Sequence, residues 1–284
     1  MANQMRMLLE TVAGKQAGGL LRSAYLRCRR LWEAVLWGGE RRERLLLRLL
    51  DRHYASRFRR DWVLSAEPPH FFNQRIGMFK LAFSDQCQGV GSFYRGFFAA
   101  QVVRAGDRVL DIGCGDGFFT RRFLAPRAGA VDAIDVEPTA IAAASTHNAA
   151  PSITYGLQDA VQVPFPASRY DVIVWDGAIG HFPAATLQAL LKKISAALAT
   201  DGVFVGSESL GLEGSDHLQF FAALEDLAAV FQPWFKHVEV YETTYPIGQN
   251  QEIRREGYWR CANDPARLKE TRWRQAAVSA AWAA

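Results

Sequence analysis

The residue pattern with the clearest chemical meaning is Val109-Leu110-Asp111-Ile112-Gly113-Cys114-Gly115-Asp116-Gly117, an apolar run that passes into closely spaced glycines. Glycines at the start of a helix let the backbone approach a ligand closely. Dinucleotide-binding loops use the same device, but their third glycine follows the second by three residues, whereas here it follows by two. Asp111 and Asp116 would also repel a pyrophosphate. The loop therefore favours a cationic ligand.

Acidic residues follow the next two apolar runs. Asp135 stands 20 residues after Gly115, where a carboxylate can accept hydrogen bonds from both hydroxyls of a ribose. Asp159 lies after the third run, where its carboxylate can accept a hydrogen bond from the exocyclic amine of an adenine. S-adenosylmethionine combines a sulfonium, an ammonium and a ribose with two hydroxyls, and we predict it as the cofactor. The predicted contacts are Asp111, Gly113, Cys114, Gly115, Gly117, Asp135, Val136, Gln158, Asp159, Ala160, Asp176 and Tyr94.

Histidines are the candidates for acid–base chemistry. Methyl transfer is an in-line displacement that depends mostly on alignment and desolvation, with a base where the acceptor must lose a proton. An imidazole suits that task because its pKa lies near neutral pH. His181 and His217 are the predicted catalytic residues, while His70, Phe72 and Glu208 are predicted to contact the acceptor. Helix capping and aromatic packing remain alternative roles for the three histidines.

The elements that must position these residues alternate between short β-branched runs and longer helical runs, which predicts βαβ units and a parallel sheet. Two amphipathic helices are expected, one with its apolar face from Leu187 to Leu198 and one with its face from Phe220 to Phe231. A loop from Thr243 to Glu256 is expected to join the last two strands. The predicted strands are Arg108 to Ile112, Ala130 to Asp135, Ser152 to Tyr155, Tyr170 to Trp175, Gly202 to Gly206, Phe235 to Tyr241 and Gly257 to Ala262.

Over residues 107–208 the chain resembles the class I S-adenosylmethionine-dependent methyltransferases. Val109 to Gly117 matches their glycine motif, Asp135 their ribose acid and Asp159 their adenine acid, and Val163 to Pro166 and Tyr170 to Trp175 complete the usual order. The resemblance implies an α/β, Rossmann-like, doubly wound fold with a mostly parallel seven-stranded sheet and an antiparallel last strand. It also implies methyl transfer from S-adenosylmethionine.

A narrower resemblance is to bacterial methyltransferases found among saccharide or surface-polymer biosynthesis proteins. Its motifs are His70-Phe71-Phe72, Ala178-Ile179-Gly180-His181-Phe182 and Asp216-His217-Leu218-Gln219-Phe220. Gly180 stands where an acid is usual, and Ser207-Glu208-Ser209 replaces a more hydroxyl-rich stretch. The resemblance implies an oxygen of a small molecule, a saccharide or a lipid-linked intermediate as the methyl acceptor.

Charge is distributed unevenly along the 284 residues. The first 60 carry 14 basic residues, 13 of them arginine, against five acidic ones, while the remainder has a net charge of −5. We expect a basic amphipathic helical extension (1–60), an aromatic-rich helical cap (61–106), a cofactor-binding core (107–262) and a C-terminal tail (263–284). The extension is consistent with homo-oligomerisation, with an anionic membrane surface or with RNA, although the acidic core disfavours nucleic acid.

Several function classes are disfavoured by what the sequence lacks. No apolar run approaches the roughly 18 residues of a membrane span, and no signal peptide is recognisable, so we expect a cytoplasmic protein, with peripheral contact to the inner membrane face as an option. The four scattered cysteines predict no metal site and no disulfide framework. An RNA or protein methyltransferase, a non-catalytic cofactor-binding module and an NAD-dependent oxidoreductase remain as alternative functions.

Overall fold

The computed structural model describes residues 19, 22–31, 39–58, 90–211, 217–247 and 252–268. The chain divides into two compact units, Met1–Ser65 and Ala66–Ala284. In the first unit, residues 22–31 are helical, and helix α1 spans Gly39–Phe58. Arginines recur every fourth residue of α1, and four exposed leucines lie between them, so the helix is amphipathic. Within the described residues no apolar partner covers these leucines. No described helix combines the length and apolar composition needed to cross a membrane.

The described part of the second unit is built on a seven-stranded sheet with the order β3-β2-β1-β4-β5-β7-β6. Strands β1 to β5 pair in parallel, and β7 pairs antiparallel with both β5 and β6. The predicted fold class, including the antiparallel last strand, is thereby confirmed. The strands are β1 Arg108–Ile112, β2 Ala130–Asp135, β3 Ile153–Leu157, β4 Tyr170–Asp176, β5 Leu198–Leu210, β6 His237–Ile247 and β7 Glu252–Ala262.

Helices cover both faces of this sheet. They are α2 Val90–Val102, α3 Pro138–His147, α4 Ala184–Ala197 and α5 Leu224–Phe231, together with a π-helical turn Thr120–Leu124. Side chains alternate along the central strands: Val172 and Val174 of β4 join the core beneath α2, whereas Ile173 and Trp175 join the core beneath α4 and α5. Full burial of side chains of this size contributes about 1.5–3 kcal/mol each. Because successive side chains of a strand point to opposite faces, β4 stabilises the helix layers on both faces of the sheet.

Several element boundaries differ from the sequence prediction. Leu198 begins β5 rather than ending α4, and that strand continues to Leu210 instead of stopping at Gly206. Phe221 makes an isolated bridge to Leu210 before α5 begins at Leu224. The last two strands extend to Ile247 and from Glu252, so the predicted loop from Thr243 to Glu256 is much shorter. Cross-strand pairing overrides the weak local preference of the polar residues in these extensions.

The residues after β7 are attached to the start of β1. Arg267, with 3% of its side chain exposed, donates to Oδ2 of Asp107 at 2.6 Å. Leu268 is buried in the core beneath α2. The described beginning of the predicted tail is therefore part of the core, while residues 269–284, predicted as a helical tail, lie outside the described residues.

Candidate active site

The glycine loop follows β1 as predicted. Gly113, Gly115 and Gly117 have φ values of +72°, +55° and +70°, a region that L side chains rarely adopt. The amides of Gly113 and Cys114 donate to the carbonyl of Ile134 at 2.8 and 3.1 Å, which fixes the loop against β2. Apart from its two chain neighbours, none of the described residues has an atom within 4 Å of the position that a Cβ on Gly113 would take. The loop thus leaves open space beside its first glycine.

Asp111 lies beneath this loop and is buried. Its Oδ2 accepts a hydrogen bond from the Thr120 hydroxyl at 2.5 Å. Burial raises the pKa of Asp111 to about 7, and the hydrogen bond from Thr120 only partly opposes that effect. The carboxylates of Asp176 and Asp135 raise it further. A cation placed here would relieve this repulsion.

Asp135 ends β2, as predicted, and its carboxylate is hydrogen-bonded to the loops that follow β1 and β2. Its Oδ2 accepts from the amide of Gly115 at 2.8 Å, and its Oδ1 accepts from the amide of Glu137 at 2.9 Å. Burial raises the pKa of Asp135, and these two backbone hydrogen bonds oppose that rise. The carboxylate is therefore held rigidly at the carboxyl end of the strand.

The remaining predicted cofactor contacts form the rim of the same edge. The Asp159 carboxylate accepts from the amide of Val161 at 2.8 Å, and the Gln158 side-chain amide donates to the carbonyl of Pro164 at 2.7 Å. The carbonyl of Ala160 accepts from Lys193 at 2.6 Å. Val136, with 67% of its surface exposed, supplies an apolar side chain next to Asp135. Carboxylate, amide and apolar surface thus occur side by side, as an adenosine group requires.

A polar network that the sequence prediction largely missed surrounds Asp176 at the end of β4. The hydroxyl of Ser207, its register partner on β5, donates to Asp176. The guanidinium of Arg95 on α2 lies 3.9 Å from Asp176 and forms an ion pair with Glu256 of β7. Burial raises the pKa of Asp176 to about 6, although Arg95 and Ser207 oppose it. Glu256 is buried too, but Arg95 and Arg254 hold its pKa below the usual value.

Tyr94 is the predicted cofactor contact on α2. It is partly exposed, and its ring packs edge-on against Tyr245 of β6, with 6.0 Å between the ring centroids. The Tyr245 hydroxyl in turn donates to Glu256 at 2.9 Å. Tyr94 therefore lies beside the polar network. Its neighbour Arg95 could have been found as the one cation within the aromatic run from Phe93 to Phe98.

The two predicted catalytic histidines come together, although they lie 36 residues apart in the chain. His181 ends the short 3₁₀ turn after β4, and the ring centroids of His181 and His217 are 4.2 Å apart. Nε2 of His217 lies 3.7 Å from Oε1 of Glu208 on β5. Glu208, predicted to contact the acceptor, is buried, and its oxygens accept from the amides of Gly180 and Ser209. Its immediate contacts are therefore with the protein.

Gly180 explains how the histidines approach one another. A Cβ on this glycine would overlap the His217 ring. The carbonyl of Gly180 also accepts from the amides of Leu218 and Gln219 at 2.8 and 3.0 Å, which joins the segment after β5 to the turn after β4. The sequence departure at this position thus makes room for His217. The other predicted acceptor contacts, His70 and Phe72, lie outside the described residues.

The arrangement can bind a cation and accept a proton. Carboxylates with raised pKa values lie beside an open glycine loop, and an imidazole pair follows the neighbouring strands. Among the described residues no group of His, Cys, Asp or Glu side chains is placed to hold a metal ion. Burial raises the pKa of the Cys114 thiol well above its usual value, which keeps it in the unreactive neutral form.

Part of the chain is similar to known methyltransferases. Residues 109–202 match a family described as "Methyltransferase domain". The chain is 30% identical over 142 residues to the ribosomal protein L11 methyltransferase of Burkholderia thailandensis, covering 48% of this chain and 42% of that protein. It is 33% identical over 111 residues to the N-terminal Xaa-Pro-Lys N-methyltransferase 1 of Bos taurus, covering 37% and 48% of the two chains. The chain thus spans less than half the length of these two relatives.

Among solved structures, a SAM-dependent methyltransferase from Leishmania major matches with a TM-score of 0.50 and 18% identity, over 61% of this chain and 74% of that one. At that identity the match bears on the fold alone.

Proposed function

We propose that residues 109–202, which match a methyltransferase-domain family, form a class I S-adenosylmethionine-dependent methyltransferase unit, and that the chain transfers a methyl group to an oxygen atom of a small molecule or saccharide. The observation that carries the proposal is a set of three carboxylates near the open side of Gly113, the buried Asp111 and Asp135 and the largely enclosed Asp176. Carboxylates whose pKa values stay raised at the carboxyl edge of a parallel sheet suit a cationic ligand.

The residues present fit S-adenosylmethionine. Asp111 and Asp176 have pKa values raised to about 7 and about 6, which positive charge from the cofactor would reverse. Asp135 would hold the ribose, and Asp159 with Val136 would hold the adenine. Arg95, partly exposed beside Asp176, would attract the carboxylate of the methionine moiety. These assignments support the cofactor class and are open to test one residue at a time.

Methyl transfer with these residues needs orientation, water exclusion and a base. S-adenosylmethionine supplies a methyl group bound to a positively charged sulfur and leaves as the neutral thioether. Asp111 and Asp176 hold positive charge beside the glycine loop in a buried setting, where electrostatic interactions are stronger than in water. His181 takes the proton from the acceptor hydroxyl, because a neutral imidazole is a competent base near pH 7.

Binding measurements separate this function from two alternatives. Isothermal titration of the full chain with S-adenosylhomocysteine and with NAD distinguishes a methyltransferase site from an oxidoreductase site, and we expect binding of the former only. Binding without turnover in any fraction described below would instead favour a non-catalytic module. Absence of S-adenosylhomocysteine binding at pH 8 would contradict the proposed function.

The acceptor class is tested by labelling. We propose an oxygen acceptor because an imidazole base follows β4, where the Asp/Asn-Pro-Pro-Tyr/Phe motif of many nucleic-acid amino-methylating enzymes is replaced by Trp175-Asp176-Gly177-Ala178. The relatives named above act on proteins, so a protein acceptor is the alternative. Methyl-labelled cofactor is incubated with separated metabolite, lipid-linked saccharide, protein and RNA fractions. Label and a 14 Da gain in the first two fractions support our proposal; label confined to protein or RNA contradicts it.

We further propose that α1 contacts an anionic lipid surface. Arg44, Arg48 and Arg52 are exposed and recur every fourth residue, which places them along one side of the helix. Leu46 and Leu50, on the opposite side, are 48% and 42% exposed. Arginine on one side and exposed leucine on the other are typical of a helix that lies in a membrane interface. Charge complementarity therefore selects anionic lipid as the partner.

A further inference from the structure

A buried carboxylate lies directly behind the histidine pair. Glu208 is 1% exposed, and the amides of Gly180 and Ser209 donate to its two oxygens at 3.0 and 2.9 Å. Nε2 of His217 lies 3.7 Å from Oε1 of this carboxylate. Two backbone dipoles and an imidazole thus surround a group that has lost almost all contact with water.

This environment keeps Glu208 ionised. Burial by itself would raise the pKa of Glu208, but the His217 ring and the two backbone amides outweigh it and hold the pKa below the usual value. Arg95 favours the anion as well, although its guanidinium forms its ion pair with Glu256. His217 is therefore the ionisable group in closest contact with the Glu208 charge.

The geometry also separates the roles of the two histidines. Both ring nitrogens of His217 are buried from solvent, and its side chain is 11% exposed. The His181 ring lies 4.2 Å from it, centroid to centroid, with the planes inclined at 43°. Because both ring nitrogens of His217 are buried, an acceptor hydroxyl would contact His181, and His217 would act on the acceptor only through His181.

Gly180 is the third part of this arrangement. It lies next to His181, its amide donates to Glu208, and a Cβ at this position would overlap the His217 ring. Any other residue here would displace His217 from the space between Glu208 and His181. The position of the imidazole thus depends on a carboxylate on one side and a missing side chain on the other.

We propose that Glu208 and His217 are positioning residues that act through His181, so that Glu208, His217 and His181 form one proton-accepting unit. The proposal rests on the proposed methyl transfer. In that reaction the acceptor O–H bond breaks and its proton moves to a ring nitrogen of His181, while an oxygen electron pair forms the new O–CH₃ bond. The electron pair of the broken S–CH₃ bond stays on sulfur. The positive charge on the imidazole pair is compensated by Glu208.

The sign of the effect follows from the charged groups around the pair. Glu208 on β5 is the carboxylate in contact with His217, at 3.7 Å, and a negative charge at that distance favours a protonated imidazole. Replacing Glu208 by a neutral residue removes the nearest negative charge. The proton affinity of both histidines should therefore fall.

Histidine titration by NMR tests the proposal without an acceptor. The Cε1–H resonances of the full chain are followed from pH 5 to 9 and assigned with H181Q and H217Q. We expect E208Q to lower the titration midpoints of His217 and His181 by about one pH unit, and E208D to retain most of the wild-type values because it keeps the charge. Glu242→Gln, which removes an exposed carboxylate paired with Arg255, is the control.

The outcomes are distinguishable from failure of the proposed function. Unchanged midpoints in E208Q, with S-adenosylhomocysteine still bound, would overturn the positioning role and leave methyl transfer standing. Loss of S-adenosylhomocysteine binding by the wild-type chain would overturn methyl transfer, and the titrations would still report on the pair. If E208Q does not fold, the His181 midpoint in H217Q decides: a shift from the wild-type value supports the coupling, and an unchanged value overturns it. G180A should shift both midpoints as E208Q does, because it displaces His217.

Discussion

Two carboxylates, Asp111 within β1 and Asp176 at the end of the neighbouring strand β4, lie near the glycine loop, and both are destabilised as anions. Their pKa values are raised to about 7 and about 6, chiefly by burial. A residue that only supported the fold could be neutral in this setting, as asparagine is. We propose that a bound cation relieves the repulsion and desolvation of these anions. Asp111 and Asp176 would then take part in ligand binding and make it dependent on pH.

Affinity for S-adenosylmethionine should fall as the pH is lowered from 8 to 6. Asp111 is largely ionised at pH 8 and largely protonated at pH 6, and only the anion attracts the cofactor. If the bound cation lowers the pKa values of both carboxylates well below 6, the dissociation constant should rise about tenfold over this interval through Asp111 and about twofold more through Asp176. Isothermal titration of the full chain at the two pH values measures it.

Asp111→Asn is the matched control because its amide does not titrate. It should bind the cofactor more weakly at pH 8, and its affinity should change only about twofold between pH 8 and 6, the part that Asp176 contributes. A variant that keeps the full wild-type pH dependence would contradict the assignment to Asp111.

Gly206 on β5 is required by packing alone. A Cβ at this position would overlap the carbonyl oxygen of Trp175 and contact the Trp259 ring, both of them buried. Gly206→Ala should therefore lower the free energy of unfolding by about 3 kcal/mol or more. Gly156→Ala on β3, whose Cβ would meet only Ile134 at 3.6 Å, should change it by less than about 1 kcal/mol. Urea unfolding compares them, and equal losses would contradict this explanation.

At the scale of elements, the segment after β7 is coupled to the strand that carries the glycine loop. The ion pair between Arg267 and Asp107 lies just before β1, and Arg104 at the end of α2 also donates its amide to Asp107. The segment after β7 and the connection between α2 and β1 therefore meet at one buried carboxylate. Removing the Arg267 charge would leave the Asp107 carboxylate buried without its ion-pair partner.

Arg267→Ala should lower the free energy of unfolding by about 3 kcal/mol, because it leaves the Asp107 charge buried. Arg255→Ala breaks an exposed ion pair with Glu242 and should lower the free energy of unfolding far less, because solvent screens that pair. Urea unfolding of both variants measures the difference. Comparable losses in the two variants would show that the Arg267 ion pair is no more important than a surface one.

At the scale of the whole molecule, the basic first 60 residues and the acidic remainder point to different partners. The acidic remainder includes the carboxylates that we assign to a cationic cofactor. The basic part includes α1, a helix with arginines on one side and exposed leucines on the other. Contact with anionic lipid would bring the catalytic unit to lipid-linked acceptors, in agreement with the acceptor class proposed above.

The full chain should float with vesicles that contain anionic phospholipid and not with neutral ones. Neutralising Arg44, Arg48 and Arg52 together by glutamine should weaken vesicle binding about a hundredfold, since each arginine near such a surface contributes about 1 kcal/mol. Leu46→Ser with Leu50→Ser should weaken it as well. Flotation at increasing salt measures both variants.

Replacing the exposed Arg122, Arg127 and Arg169 by glutamine removes the same charge elsewhere and should leave vesicle binding unchanged. Equal loss in this control would mean that overall charge, and not α1, binds the lipid. The alternative partner of α1 is a second copy of this chain, and light scattering measures such self-association. If the wild type self-associates but does not bind vesicles, and the leucine variants abolish the self-association, α1 is an interface between copies of this chain.

Local sequence patterns determined most of the fold and the cofactor half of the site. Strands β1 and β2 begin and end as predicted, because short β-branched runs between glycines and charged residues leave few alternatives. The glycine loop follows β1, Asp111 lies within β1 and Asp135 ends β2, as the sequence pattern predicts. Residues close in sequence to a buried strand are placed by that strand, so local information suffices for them.

The tertiary structure alone decided which distant side chains meet. Arg95 and Glu256 form an ion pair although they are 161 residues apart, and His217 reaches His181 because β5 runs on to Leu210 and Gly180 has no side chain to exclude the ring. The length of β5 comes from its pairing with β4 and β7, not from its own polar residues. Cross-strand hydrogen bonds and the space left by one glycine are properties of the packed chain, and a linear pattern does not contain them.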